Sequence, residues 1–399
     1  MPDKHPIFVN MKKALLPIAV ILLFAIEFLN IWFLMPFPGS QQKSMIGFSW
    51  FMHHQIWWMR LLLYILISWQ VFRLAVRRKM GRMIAVGICL VLYGVVAYYL
   101  NSKLNPQQMF QMPAEPVYAD AQSNTVSEGK LVLGVFLNGT AKAYPLEIIA
   151  YHHQIRDKIG RTDVLITYCS LCRSARVYLP EVENEFAHFS LVGIDQYNAI
   201  LEDDVTGSWW QQATGTAIAG KSKGAQLEEV PAQQMSLKKW FELYPEALVL
   251  QADTAFRKQY GQLAGYDEGK NGNALESRNQ KSGEANAWVV VANVRDVRRA
   301  YDWNELEEKG IIQDTLNNKP IAIVLDTDGV TFYGFYREAN GITYSFTRSS
   351  PTSDFLTEMH TKQQWTLSGQ AIMIGESSAS LEKLPVVQEF NHTFNTFGK

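Results

Sequence analysis

Three stretches near the start of the chain, residues 14–35, 56–76 and 83–100, are apolar over lengths that cross a bilayer as helices. Beyond residue 100 the long apolar runs stop. Short alternating segments bounded by turn residues take their place, and these predict strands at 131–137 and 141–144 joined through Asn138-Gly139 as a hairpin turn. A brief helix at 146–152 follows, then strands at 164–168, 176–179 and 186–192. The spacing of Leu237, Trp240, Phe241 and Tyr244 predicts a helix over 238–243 with one buried face.

Sliding the chain on itself exposes an internal repeat. Residues 132–168 align without gaps on 289–325 at an offset of 157 (289 − 132), so that Ala143-Tyr144 falls on Ala300-Tyr301 and Asp157 on Asp314. At an offset of 154 (369 − 215), Gly215 falls on Gly369 and Pro231 on Pro385, and Trp210 lies near Trp365 with a small drift. The expected class is α+β and β-rich: a duplicated domain of two related halves, preceded by three transmembrane α-helices. The expected divisions are a membrane anchor at 1–100, a linker at 101–130, a first half at 131–260, a connecting loop at 261–286 and a second half at 287–390. Met109 and Met112 in the linker read as packing rather than as copper ligands.

Averages conceal this organisation, since a mean hydropathy of −0.08 describes an ordinary soluble protein. Basic residues orient the helices. Arg77, Arg78, Lys79 and Arg82 sit between the second and third, Lys12 and Lys13 precede the first, and only Lys43 lies in 36–55. Short cytoplasmic loops carry such an excess, so residues beyond 100 are expected outside, on a three-pass protein of the inner (cytoplasmic) membrane. No small-residue cleavage pattern follows the first helix, which is expected to remain in the mature chain. Trp50, Trp57, Trp58, Tyr98 and Tyr99 fall where an outer aromatic belt would be. Glu27 is a lone carboxylate at membrane depth, and an ion pair with Arg60 on the antiparallel helix is its expected role.

The formal net charge of −1 gives no reason to expect nucleic acid as a partner. No dinucleotide, P-loop, zincin or serine-hydrolase signature occurs, so no nucleotide cofactor is expected. Candidate chemistry gathers instead on two of the three cysteines, Cys169 and Cys172, a C-x-x-C at the end of an apolar strand. Three readings are open. With His152 and His153 the pair would bind copper or zinc, with Asp157 orienting an imidazole and Trp210 and Gln212 alongside. Alone it would cycle between dithiol and disulfide, Arg173, Arg176 or His152 favouring the thiolate. As a structural disulfide it would close a very small loop of modest entropic effect. The partners expected are the lipid bilayer and an extracytoplasmic protein or metal donor or acceptor. At the 157 offset Cys169, Cys172, His152 and His153 face Asp326, Gly329, Lys309 and Gly310, so the second half lacks the candidate chemistry. His53-His54, His188, His360 and His392 read as surface or core residues.

The run Ala143-Tyr144-Pro145-Leu146, His152, Asp157, Tyr168-Cys169-Ser170-Leu171-Cys172, Ser208, Trp210, Gln212, Gly215 and Gly220 resembles a bacterial family of domains of unknown function, number 3179. Its hallmark reads A-Y-P-L, H-E-x-V-N-D, Y-C-P-L-C, S-L-W-x-Q. Here His153, Arg156 and Ser170 replace its Glu, Asn and Pro. The resemblance is strong over 131–250 and weak in the second half, and it implies no activity.

Overall fold

The computed structural model describes residues 6–113, 115–269, 281–295, 297–372 and 379–398, with side chains from residue 14 onward. The side chains of Lys12 and Lys13 and the 270–280 part of the connecting loop lie outside the described residues. Two compact units emerge: residues 1–111 with 188–211 and 217–225, and residues 112–187 with 212–216 and 226–399. This grouping cuts across the stretch 131–260.

Three helices long and apolar enough to cross a membrane open the first unit: α1 (Pro6–Trp32), α2 (Ile46–Val76) and α3 (Met80–Tyr98). The second begins ten residues earlier than its apolar run (56 − 46), because nothing after Gly47 breaks a helix and only hydropathy falls at His53, His54 and Gln55. That early part is covered by protein rather than forming a loop. Trp50 Nε1 donates to the Gly207 carbonyl at 2.9 Å, and His53 and His54 stand 3.8 and 3.7 Å from the Glu202 carboxylate. A four-stranded sheet, Ala217–Ala219, Trp209–Gln211, Asn198–Asp203 and Phe189–Asp195, completes this unit. Gly193 is at φ +155° with the Leu34 carbonyl where a Cβ would stand, 2.5 Å away, so only glycine lets the strand and chain meet there.

Glu27 is almost fully buried and forms a two-pronged ion pair with Arg60, Nε to Oε1 at 2.7 Å and Nη2 to Oε2 at 2.6 Å. Tyr93 Oη and Asn101 Nδ2 donate to the same carboxylate at 2.7 and 2.9 Å. One carboxylate thereby ties α1 to α2 and to the end of α3, the structural role expected of it.

In the second unit, strands Leu131–Leu137 and Thr140–Pro145 form a hairpin whose turn residues Asn138 and Gly139 have φ of 52° and 78°. Two positive φ values match the right-handed twist of the strands, and Asn-Gly supplies them at least strain. Helix Leu146–His152 follows, then an antiparallel sheet of Gln154–Ile159, Thr162–Cys169 and Ser174–Tyr178. Residues 288–336 run through the same order: hairpin Trp288–Val294 and Val297–Asp302, helix Trp303–Lys309, then strands Ile311–Leu316, Lys319–Leu325 and Phe332–Tyr336. Strand Gln233–Ser236 pairs with the first hairpin and Val386–Phe390 with the second. Separate apolar clusters sit under each segment, one around Tyr144, Ile166 and Tyr168, another around Trp288, Trp303 and Phe332.

Candidate functional site

Cys169 ends its strand and Cys172 lies in the turn that leads into Ser174–Tyr178, the two strands meeting at the pair Cys169 and Ser174. The Cys172 amide donates to the Cys169 carbonyl at 3.1 Å, and Arg173 takes a left-handed φ of 52° to bring the chain back into register. Ser170 and Leu171 at the tip are half-buried, while both cysteines beneath are buried, at 1 % and 0 % exposure. The two approach to 3.0 Å and are not joined in a disulfide.

Arg173 holds this turn in place. Its guanidinium is fully buried and donates from Nε to Gln388 Oε1 at 2.8 Å, from Nη1 to the Tyr266 carbonyl at 3.1 Å and from Nη2 to the Asp267 carbonyl at 2.6 Å. The indole of Trp288 lies 3.7 Å beneath it. Such a cation is satisfied by neutral acceptors and a π face. Further clamps close on the tip: Tyr266 Oη donates to the Ser170 carbonyl at 2.9 Å, His392 Nε2 lies 2.9 Å from the Leu171 carbonyl, and the Phe390 amide donates to the Cys172 carbonyl at 2.9 Å. Burial holds the His392 imidazole below its ordinary pKa. Tyr266 and Asp267 fall in the stretch read from sequence as a connector. No local pattern marks them as the partners of a turn about ninety residues away.

His152 ends its helix with Nε2 2.6 Å from the Tyr260 hydroxyl and its ring edge-on to Phe256. His153 is the residue just past the helix, in left-handed backbone at φ 61°, its Nδ1 2.9 Å from the Tyr168 carbonyl. Helix Trp303–Lys309 ends at the equivalent place on Gly310, φ 70°. A histidine where glycine is the easier residue costs about 1 kcal/mol, offset here by that bond and by burial. Burial also pushes the His153 pKa down to about 4. The folded state therefore keeps the ring neutral, and stability is fully present above the unfolded pKa of about 6.5 and lost as pH falls toward 4. Lowering pH from 7 to 5 is expected to remove about 2 kcal/mol through this residue. Denaturant unfolding of wild type and His153→Gln at both pH values checks it; equal pH dependence in the two proteins would refute the assignment.

Asp157 accepts from the Tyr118 and Tyr144 hydroxyls and, at 2.9 Å, from Lys142 Nζ. His152 is not among its hydrogen-bond partners. The same cluster stands at the corresponding positions of the later segment, where Asp314 accepts from Tyr301 and Arg299. A residue whose setting recurs where no cysteine exists is explained as framework. Gln212 Nε2 donates to Thr167 Oγ1 at 3.1 Å and to the Ser174 carbonyl at 3.0 Å, so it braces the strands that carry the cysteines. Trp210 belongs to the other unit, where its Nε1 donates to Asp203 Oδ2 at 2.7 Å.

Among the described residues, no three His, Cys, Asp or Glu side chains are grouped so as to hold a metal ion. The donor set expected for copper or zinc, Cys169, Cys172, His152 and His153, is thus not assembled as a cluster, each histidine being turned to an oxygen of its own. What the arrangement offers chemically is a close pair of thiols under a half-buried turn that the Arg173 guanidinium anchors.

No curated protein and no solved structure matches the chain. A family described as "Protein of unknown function (DUF3179)" matches residues 112–399, well over half of the chain, and the chain belongs to that family.

Proposed function

We propose that this is a membrane-anchored thiol–disulfide protein that uses Cys169 and Cys172. The observation that carries the reading is the approach of the two cysteines to 3.0 Å across a tight turn. In the reaction, one thiolate attacks a partner disulfide, forming a mixed disulfide and releasing the partner's first thiolate. The second cysteine then attacks the mixed disulfide, so the pair becomes a disulfide and the partner, having gained two electrons and the two thiol protons, a dithiol. Arg173 favours the attacking thiolate by its charge. The turn must lift for a partner to reach sulfurs this buried, and the bonds to Ser170, Leu171 and Arg173 are what such opening breaks.

Full-length protein in detergent, equilibrated in glutathione buffers of graded poise, is expected to interconvert reversibly between forms differing by two titratable thiols. Cys172→Ser is expected to stall as a mixed disulfide on Cys169. A pair that stays reduced across the series, or that oxidises irreversibly, would overturn the reading. Metal handling by the same thiols predicts instead that the reduced protein retains about one equivalent of Cu(I) or Zn2+ through desalting, a stoichiometry set by a single two-thiol site.

The domain beyond residue 100 belongs outside the cytoplasm on this reading, because a persistent disulfide needs an oxidising compartment. Reporter fusions after Leu100 should be active on the exterior side and fusions within 77–82 on the cytoplasmic side. We also infer that the halves 131–260 and 287–390 descend from one duplicated unit. The shared element order and the recurring Asp–Tyr–cation clusters support this, and superposition of 132–231 on 289–385 in an experimental structure tests it.

A further inference from the structure

A cavity of about 410 Å³ opens in the second unit, away from the cysteine turn, where strand Ser174–Tyr178 faces Trp288–Val294 and Val386–Phe390. Its charged lining is unusual. Arg176 is buried at 4 % exposure, and Arg298 is a second guanidinium on the same wall. Between them stands one buried carboxylate, Glu389, 3.1 Å from Arg176 Nη2 and 3.6 Å from Arg298 Nη2. Glu229, 3.5 Å from Arg176 Nε, has its side chain 54 % exposed and is screened by water. Arg298 is itself 21 % exposed, so the charges at the cavity are one buried and one partly exposed guanidinium against the buried Glu389 and the exposed Glu229.

The amide of Gln234 supplies an independent sign of a ligand. It lines the cavity at 3 % exposure, its oxygen accepts from the Gln388 backbone amide at 2.9 Å, and its buried Nε2 has no hydrogen-bond partner among the described residues. Buried donors without acceptors cost roughly 1–3 kcal/mol each, so an oxygen-bearing group is favoured there. Opposite the polar groups the wall is aliphatic, formed by Val177, Val291 and Val387. A second groove, on the other face of Gln234, is lined by Phe136, Trp240, Tyr244 and Tyr333 and holds no arginine. Tyr333 occupies the place that Arg176 has at the 157 offset (333 − 176), and the cation lining that groove is Lys383, an ammonium rather than a guanidinium fork. Burial holds Arg298 below its ordinary pKa, with the Glu389 carboxylate opposing the shift and the like charge of Arg176 adding to it.

We propose that this cavity binds a small organic monocarboxylate, its carboxylate on Arg298 and the Gln234 amide and its hydrocarbon part against Val177, Val291 and Val387. A planar guanidinium fork matches a carboxylate. A monoanion places one negative charge beside the partly exposed Arg298, whereas a phosphate dianion would place two beside the Glu389 carboxylate. The volume suits a ligand of small-molecule size.

The test is calorimetric titration of full-length protein in detergent with butyrate, pentanoate and benzoate, each against its neutral primary amide. At least one carboxylate should bind with a Kd on the order of 1 mM or tighter, and its amide about tenfold more weakly or worse. Arg298→Gln should weaken the carboxylate about tenfold and leave the amide unchanged. Gln234→Leu, which removes the donor without touching a charge, should weaken it by a smaller factor and covers the case of an unfolded arginine variant. Cys169→Ser/Cys172→Ser should bind as wild type, which separates this site from the thiol reading. Absence of binding by all three carboxylates, equal binding of acid and amide, or a folded Arg298→Gln protein with wild-type affinity would each overturn the proposal.

Discussion

Arg60→Leu is expected to cost about 3–5 kcal/mol of stability in detergent, because it leaves Glu27 as a buried carboxylate without its cation. Glu27 is 1 % exposed, and two of its bonds come from Arg60, which also stacks on Trp57 at 4.8 Å. Tyr93 and Asn101 cannot neutralise the charge they solvate, so the helix contacts they secure weaken as well. The double variant Glu27→Leu/Arg60→Leu separates attraction from desolvation. Removing both charges should recover most of the single variant's loss, since a buried pair contributes little net stability over apolar residues of similar volume. A single variant within about 1 kcal/mol of wild type would show that water or lipid headgroups reach the pair and that its role is not structural.

Local features of this fold were legible because their causes are local. Asn138-Gly139 demands a hairpin, and the helix at Leu146–His152 follows from a short run that ends where only left-handed backbone can continue. The strand bearing Cys169 was visible as an apolar run bounded by turn residues. What escaped the sequence depends on distance along the chain. The start of α2 at Ile46 rests on protein covering Trp50, His53 and His54, which hydropathy counts only as polarity. Residues 188–211 group with the membrane helices through bonds such as the Ile194 amide to the Leu34 carbonyl at 3.0 Å, a separation no periodicity encodes.

At the candidate site, the sequence singled out the cysteine turn and few of the residues that hold it. His152 and Asp157 stood close to the cysteines in sequence and carried ligand chemistry, yet their side chains serve Tyr260 and the Tyr118–Tyr144–Lys142 cluster. His392, 220 residues beyond Cys172 (392 − 172), sat alone in sequence and lies on the turn. Only a paired segment in the same chain gave a clue to role. Asp314 accepts from Tyr301 and Arg299 as Asp157 accepts from Tyr144 and Lys142, whereas Asp326 and Gly329 stand at the 157 offset from the cysteines.

Arg173→Met is expected to be as damaging as the loss of Arg60 and to act on the thiols directly. Three buried acceptors, Gln388 Oε1 and the Tyr266 and Asp267 carbonyls, lose their donors at once, for a loss of about 3–5 kcal/mol. Lysine restores the charge but not the fork: a single ammonium cannot reach acceptors on two chain segments in the plane that Trp288 supports, so Arg173→Lys should recover only part of the stability. Both variants should speed alkylation of Cys169 and Cys172 under native conditions, because the turn over the sulfurs is held down by the same residues the guanidinium anchors. Cys89, in α3, provides the internal reference for alkylation rate. If the methionine variant unfolds near the wild-type midpoint, the buried cation is not what secures the turn. If it is destabilised but alkylates at the wild-type rate, the sulfurs are shielded by the packing of Tyr266 and His392, and Arg173 stabilises the fold without gating the cysteine pair.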